Sequence, residues 1–367
     1  MQLEFFPSRT LALYLARLFV TRVLGVLVML VLILQTLDLL SESGKIFAHP
    51  GNGEAQLWTY VGLRMPELIA TFLPYSVLLA TLFTLVPLNQ NSEIVSMRAA
   101  GLSAHQILAP LVLTGVIVAG ASFAFNERIA TRSAATLKAW ENADYGAMPR
   151  DSGVRVNVYV RDGPNILTAG RFTGSDKPPR LDGGVTWYRR DPHGIIVEEV
   201  RAPSAEYANP GWRFAAPERF DVGSMRFDKL PAPIVLAASV TPQQLQISSV
   251  DPDTQDIVQL SHSIAALKAG GRRTNELQGA WWHKLSGPLA AMLMPLLGAI
   301  AAFGLARSGQ VLIRAVLGMM LGFAYFIVDN AALAMGNFGG YPPLVAAWAP
   351  FVLFVLIGET VLIRTEE

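Results

Sequence analysis

Long stretches without one charged side chain, set apart by short polar turns, constrain this chain more than any other feature. Residues 68–88 and 107–125 carry no charge, and neither do residues 285–303. A helix needs roughly 20 mostly apolar residues to cross the hydrocarbon of a bilayer. Lipid offers no partner to backbone N–H and C=O groups, so such a stretch has to satisfy them within itself, as a helix does. Residues 23–34 form another unbroken apolar block, which reaches from Leu18 to Leu40 if Arg22, Gln35 and Asp38 are tolerated. Residues 315–328 and 344–357 complete the set. The pattern predicts six spans, three before and three after a long polar gap.

Composition agrees with a membrane solvent. Hydrophobic residues make up 52% of the 367 and charged ones 16%, where soluble domains carry about a quarter charged. A formal net charge of +1 gives no global field to draw nucleic acid. The chain contains no cysteine, which excludes disulfides, thiolate metal sites and a thiol nucleophile. His49, His105, His193, His262 and His283 are scattered without metal-ligand spacing. No G-x-S-x-G elbow is present, so neither a catalytic residue nor a metal site is expected.

Lysine and arginine in short connections set the expected orientation. Arg9, Arg17, Arg22, Arg98, Arg307, Arg314 and Arg364 fall at one set of span ends, against Lys45 and Arg64 at the other. The arginine-bearing side is expected to be cytoplasmic, with both termini there and the polar gap outside, in a bacterial periplasm. The first apolar block reads as a retained span, because Asp38 and Glu42 follow it and no small-residue cleavage site closes it.

The gap itself, residues 126–279, is polar and rich in turn residues. "VRVNVYV" alternates apolar and polar positions as a half-buried strand does. "NILTAGRF", "GVTWYRR", "GIIVEEV" and "WRFAAPERFDV" repeat the style, punctuated by "DGP", "DGG", "DPHG" and "NPG". Pro210 and Gly211 are expected to turn a hairpin. Short strands and tight turns predict an antiparallel sandwich or jelly roll. At its end Ile257, Leu260, Ile264 and Leu267 recur at helical spacing, with Asp253 or Thr254 as the expected cap and Gly270 as the stop. The fold class is therefore an α-helical membrane protein with six transmembrane helices and an inserted periplasmic all-β, jelly-roll-like domain. Its divisions are residues 1–125, 126–279 and 280–367.

Between spans two and three the chain reads "LNQNSEIVSMRAAGLS". Asn89 or Asn91 is a suitable cap, Glu93 suits the positive end of a helix dipole, and Gly101 suits a stop. Ile94, Met97 and Arg98 share one face at helical spacing. The segment 89–101 reads as a short helix at the cytoplasmic surface, serving either as a linker on lipid headgroups or as a docking element.

"NSEIVSMRAAGLS" resembles the coupling segment of the LptF/LptG permease family, which exports lipopolysaccharide. "FNER" after span three, "VDPD" before the amphipathic helix, "WWHKLSGPLAAMLMPLLG" at span four and "YFIVDN" in span five fit the same family. "YPPLVAAWAP" at the start of span six is closer to LptG than to LptF. The resemblance covers essentially the whole chain. It implies a transmembrane subunit of an ABC exporter that pairs with an LptF-like permease, binds an LptB-like ATPase dimer and associates with an LptC-like single-span protein. The sequence has no G-x-x-x-x-G-K-[ST] loop, so no cofactor is expected on this chain and ATP and magnesium would be used by the ATPase. Nor do spans one to three carry a charged relay in mid-membrane, which argues against a proton-driven pump.

The resemblance makes Ser92, Glu93, Met97, Arg98 and Gly101 the ATPase-coupling residues, with Glu93 facing a basic residue of the partner. The substrate, an acylated lipid with a phosphate-bearing head, calls for cations near the periplasmic rim over an apolar cavity. Lys45, Arg64 and Lys138 are the candidates, although Arg64 also has Glu67 on its own helix face. Gln35 stands where a lysine is frequent in the family, Asp38 shares that end of span one, and Ser41 with Glu42 replaces a basic pair. Met292, Leu293, Met294, Leu296 and Leu297 offer adaptable apolar surface for a cavity, and ordinary lipid- or helix-facing positions explain them equally well. Asp329 lies roughly 21 Å along the helix from Arg314 and is expected to make a structural hydrogen bond or an inter-subunit contact rather than to bind the head group. Open alternatives are the paralogous LptF subunit and a membrane scaffold whose β-domain binds an envelope partner.

Overall fold

The computed structural model describes residues 7–146, 154–174, 178–231, 233–242, 245, 251–269, 273–299 and 310–366. They fall into two compact units. One comprises Met1–Leu137, Pro252–Ser261 and Arg273–Glu367, and the other Lys138–Asp251 and His262–Arg272.

The first unit is helical. α1 (Arg9–Ala48) starts at Ser8, whose hydroxyl accepts the Leu11 N–H at 3.4 Å. Its 40 residues give roughly 60 Å of helix, about twice the thickness of a bilayer's hydrocarbon core. α2 (Glu54–Gln90) holds Pro66, Pro74 and Pro87 within it. The short α3 (Glu93–Ala99) leads to α4 (Ala104–Phe125), opened by a reciprocal cap between Ser103 and Gln106. α4 runs without a break through a π turn (Asn126–Ala130) into α5 (Thr131–Glu141). After the sheet come α6 (Ile257–Ala269), α7 (Asn275–Ala299), α8 (Gln310–Asn337) and α9 (Pro343–Glu366).

Among the described residues, five helical stretches are long and apolar enough to cross a membrane: Arg9–Ala48, Glu54–Gln90, Ala104–Glu141, Val316–Asn337 and Pro343–Arg364. The remaining expected span, residues 285–303, is described only as far as Ala299, within α7. α7 forms the hub, packed against α2, α4, α8 and α9. Lipid gives helices no hydrophobic reason to associate, so close packing of small residues has to do it. Gly115 shows how close: a Cβ there would sit 2.7 Å from the Ala291 carbonyl oxygen on α7. Leu293, Met294, Leu296 and Leu297 are buried in this interior. They are therefore core side chains of the bundle rather than free apolar surface.

The described residues of the second unit form eight strands: β1 (Val154–Asp162), β2 (Asn165–Thr173), β3 (Arg180–Arg190), β4 (Ile196–Tyr207), β5 (Trp212–Ala215), β6 (Glu218–Asp221), β7 (Arg226–Lys229) and β8 (Ile234–Leu236). All pair antiparallel in one hydrogen-bonded network ordered β1-β2-β3-β4-β5-β8. The first half of β4 pairs with β6 and the second with β5, so the sheet branches there and β7 continues the branch. Thus "WRFAAPERFDV" is two strands, parted at Ala216 and Pro217. The expected turn at Pro210 and Gly211 joins β4 to β5. Alternation buries Leu167, Phe172, Leu181, Val185, Val200 and Phe214 around Trp212, whose indole N–H donates to the Val240 carbonyl at 2.9 Å. In the β6–β7 turn the Ser224 N–H and hydroxyl both donate to Asp221 at 2.8 Å and hold its carboxyl below the usual range.

α6 is capped differently from expectation. Asp253 and Thr254 lie in a separate 3₁₀ turn (Pro252–Thr254), and the Asp256 carboxylate accepts the Val258 and Gln259 N–H groups at 3.0 and 2.8 Å. Asp256 adjoins the first helical residue, where a carboxylate can reach the open N–H groups of the first turn. Gly270, the expected stop, is outside the described residues.

Candidate functional site

The segment between α2 and α4 is built from one proline, one left-handed residue and one glycine. Pro87 has no N–H, so the Phe83 carbonyl loses its helical donor. Arg22 of α1 supplies the replacement through its guanidinium. The chain then turns at Ser92, held in the left-handed region at φ 59°, and begins α3 there. Neither Asn89 nor Asn91 is the cap: Asn89 is buried in the last turn of α2 and Asn91 ends it. Left-handed backbone at Ser92 starts the new helix in a new direction, which a conventional cap on a continuing chain would not do.

α3 ends as its glycine predicts. Gly101 has φ +91°, its N–H reaches the Arg98 carbonyl at 2.9 Å, and the Leu102 N–H reaches the Met97 carbonyl at 3.2 Å. This double bond pattern satisfies the last carbonyls of a helix and needs a residue that tolerates positive φ. Ile94 and Met97 point into the bundle, 2% and 9% exposed. Arg98 does not share their face; with Ser92, Val95, Ser96 and Ala99 it forms the exposed side. Glu93 lies at the edge between the two faces and accepts a hydrogen bond from the Tyr14 hydroxyl of α1 at 3.3 Å. On the far side, His105 at the start of α4 meets Glu359 of α9 at 3.1 Å. The start of α1, the end of α2 and the end of α9 therefore share one end of the helical unit with α3.

The candidate cations all have carboxylate neighbours, and Arg64 and Lys45 lie at the opposite end of the helical unit. Arg64 contacts Asp38 at 3.2 Å and Glu67 at 2.7 Å, and the Tyr60 hydroxyl donates to Asp38 at 2.5 Å. The helix-face pair of Arg64 with Glu67 is thus present, and α1 is bound to α2 through Asp38. Lys45 pairs with Glu42 at 2.7 Å, three residues back on α1. Gln35 is 6% exposed, and its amide has no hydrogen-bond partner among the described residues. In the second unit, Lys138 pairs with Asp251.

Two further clusters join residues far apart in sequence. Glu127, in the π turn after α4, accepts from Lys284 of α7 at 3.0 Å and from the Ile257 N–H of α6 at 2.5 Å. Lys284 is buried and Glu127 mostly so, with 8% and 11% of their side chains exposed. Asp329 of α8 is 6% exposed. It faces His283 of α7 at 3.8 Å, and its other oxygen has no partner among the described residues. Within the chain it meets His283 at ion-pair range and not at hydrogen-bond distance. The expected set includes neither Glu127 nor Lys284. The signal available was a carboxylate and an ammonium at the ends of two apolar stretches, each requiring a partner. Among the described residues no group of three His, Cys, Asp or Glu side chains is arranged to hold a metal ion.

Comparison with known proteins covers the same length of chain. The family described as "Lipopolysaccharide export system permease LptF/LptG" matches residues 13–364. Two relatives are named "Lipopolysaccharide export system permease protein LptG". The one from Escherichia coli (strain K12) is 24% identical over 98% of this chain and 99% of its own length. The one from Haemophilus influenzae (strain Rd) is 25% identical over 91% and 94% respectively. With the match running through the apolar helices, the segment that holds α3 and the inserted sheet, the chain belongs to the LptF/LptG family of lipopolysaccharide export permeases.

Proposed function

We propose that this chain is the LptG-type permease subunit of an ABC exporter in the bacterial inner membrane. It takes lipopolysaccharide from the outer leaflet and passes it towards the outer membrane. Hydrolysis takes place in a separate LptB-type ATPase, and an LptF-like permease and an LptC-like protein complete the assembly. The observation that carries this reading is α3. A helix of seven residues is marginal in isolation, yet this one is fixed by a two-bond stop and by two buried anchors. Its other face is left to solvent with Val95 at its centre. Such a helix accepts a push from outside the bundle and passes it inward without bending. Arg17, Arg22 and Arg98 stand at the ends of apolar stretches on the side of α3, and an excess of arginine in short connections marks the cytoplasmic side; this supports a reading with α3 and the ATPase in the cytoplasm and the inserted domain in the periplasm.

In this reading Ser92, Met97 and Gly101 hold the lever's shape, while Glu93 and Arg98 sit where a partner's charges meet it. Arg64 is engaged by two carboxylates, so a lipid phosphate reaches it only by replacing Asp38 or Glu67. Lys45 has 67% of its side chain exposed. It meets a head group without leaving the surface, as does Lys138 on the route through the sheet.

The test is to express this chain with its neighbouring permease and ATPase subunits, purify through a tag on this chain, and reconstitute the product with lipopolysaccharide. The expected result is co-purification of the ATPase and release of lipid that depends on ATP. A chain that comes out stable and folded without any ATPase refutes the proposal.

A further inference from the structure

Two side chains of α1 grip the segment that holds α3, one on each side of the turn at Ser92. Arg22 donates to the Phe83 carbonyl in the last turns of α2, and Tyr14 donates to Glu93 at the first residue of α3. Sixty-one residues separate Arg22 from Phe83 and 79 separate Tyr14 from Glu93, so these are tertiary ties and not local capping. The Arg22 contact has a specific cause. A carbonyl four residues before a proline has no helical donor, and a guanidinium is a donor that can reach across to a neighbouring helix while remaining charged. Phe83 is the residue four before Pro87. Below these ties, Leu15, Phe19 and Val23 of α1 are buried in the same apolar cluster as Ile94 and Met97 of α3. α3 thus has polar ties to α1 at its entrance and an apolar seat beneath it. The exit is tied elsewhere, through His105 of α4 to Glu359 of α9.

We propose that α1 is the helix through which movement of α3 enters the membrane bundle, with Arg22 and Tyr14 as positioning residues. This rests on the reading that an ATPase pushes on α3. When α3 moves, the two ties draw the start of α1 with it, because letting go leaves the Phe83 carbonyl without the donor that Pro87 cannot supply. At its other end α1 is bound to α2 by Asp38 through Tyr60 and Arg64. The motion therefore arrives at those residues as a tilt or rotation of one long helix against its neighbour. Arg22 and Tyr14 act through Phe83 and Glu93 and touch no substrate.

The proline allows a test that separates transmission from folding. Arg22→Met orphans the Phe83 carbonyl, whereas adding Pro87→Ala returns a helical N–H to that carbonyl without restoring the tie between α1 and the end of α2. The assembled exporter carrying Arg22→Met with Pro87→Ala is reconstituted with lipopolysaccharide, and lipid released per ATP hydrolysed is measured beside the parent. The expected result is normal ATPase co-purification and a ratio lowered by about threefold or more, with Tyr14→Phe lowering it in the same direction. Arg22→Lys, which keeps a donor, retains more of the ratio than Arg22→Met. A ratio restored to the parental value by Pro87→Ala overturns the proposal, since Arg22 would then only be solvating a carbonyl. Failure of the unaltered chain to bring down an ATPase is a separate result and bears on the exporter reading itself.

Discussion

A carboxylate carried into an apolar bundle is tolerated only with donors around it, and Glu127 has two: the Lys284 ammonium and the Ile257 backbone N–H. These belong to three elements, the π turn, α7 and the start of α6. One side chain thus fastens both connections to the inserted sheet at their membrane ends. Removing one partner of a buried ion pair leaves an uncompensated charge, while removing both leaves little behind. Lys284→Met is therefore expected to destabilise the chain by about 3–5 kcal/mol, read as a large fall in the thermal unfolding midpoint in detergent. Adding Glu127→Gln, whose amide oxygen still accepts the Ile257 N–H, should recover most of that loss. A Lys284→Met chain as stable as the parent would mean that the ammonium contributes nothing there. Neither residue could be paired from sequence, because they are 157 positions apart and only the fold brings the ends of two apolar stretches together. Arg22 and Phe83 escape sequence reasoning for the same reason, although Pro87 announces that some donor is needed.

At the scale of elements, hydropathy and period were enough for the apolar helices and the strands. Residues 68–88 and 107–125 fall within α2 and α4, and "VRVNVYV" opens β1 as alternation predicts. Helix ends were less legible. α1 exceeds its apolar block by more than a turn at either end, since hydropathy marks what lipid covers and not where hydrogen bonding stops. The stop at Gly101 was readable because glycine adopts positive φ without the steric cost that other residues meet. The start at Ser92 was not, because it depends on a proline five positions earlier. Packing between helices was also hidden, and Gly115 shows why: its value lies in the Ala291 carbonyl opposite. Gly115→Ala places a methyl 2.7 Å from that oxygen, where backbone meets backbone and nothing can swing aside. A loss of about 1–3 kcal/mol is expected, the usual range for overpacking, again read from thermal unfolding. An unchanged midpoint would show that α4 and α7 separate freely at this height.

The whole molecule raises a question that no single element answers, which is whether the face of α3 left to solvent is a docking face. The two sides of this helix make opposite predictions for one chemical change. Ile94 is 2% exposed and Val95 is 51% exposed, so adjacent positions differ by burial and hardly at all in size or polarity. Ile94→Asp puts a carboxylate into the bundle core and should unfold the chain or cost several kcal/mol, as for any unpaired buried charge. Val95→Asp leaves its carboxylate at a surface position in the isolated chain, so its unfolding midpoint should stay close to the parental value. In the assembly the same carboxylate would have to be desolvated against the ATPase, and a loss of about 1.4 kcal/mol already means tenfold weaker binding. The expected pair of results is therefore a folded Val95→Asp chain that no longer retains the ATPase through purification, beside an Ile94→Asp chain that fails on its own. If Val95→Asp keeps both its ATPase and its lipid release, the force does not enter through this side of α3. The lever would then have to be sought among the exposed parts of α1, since that helix is already joined to the same turn by Arg22 and Tyr14.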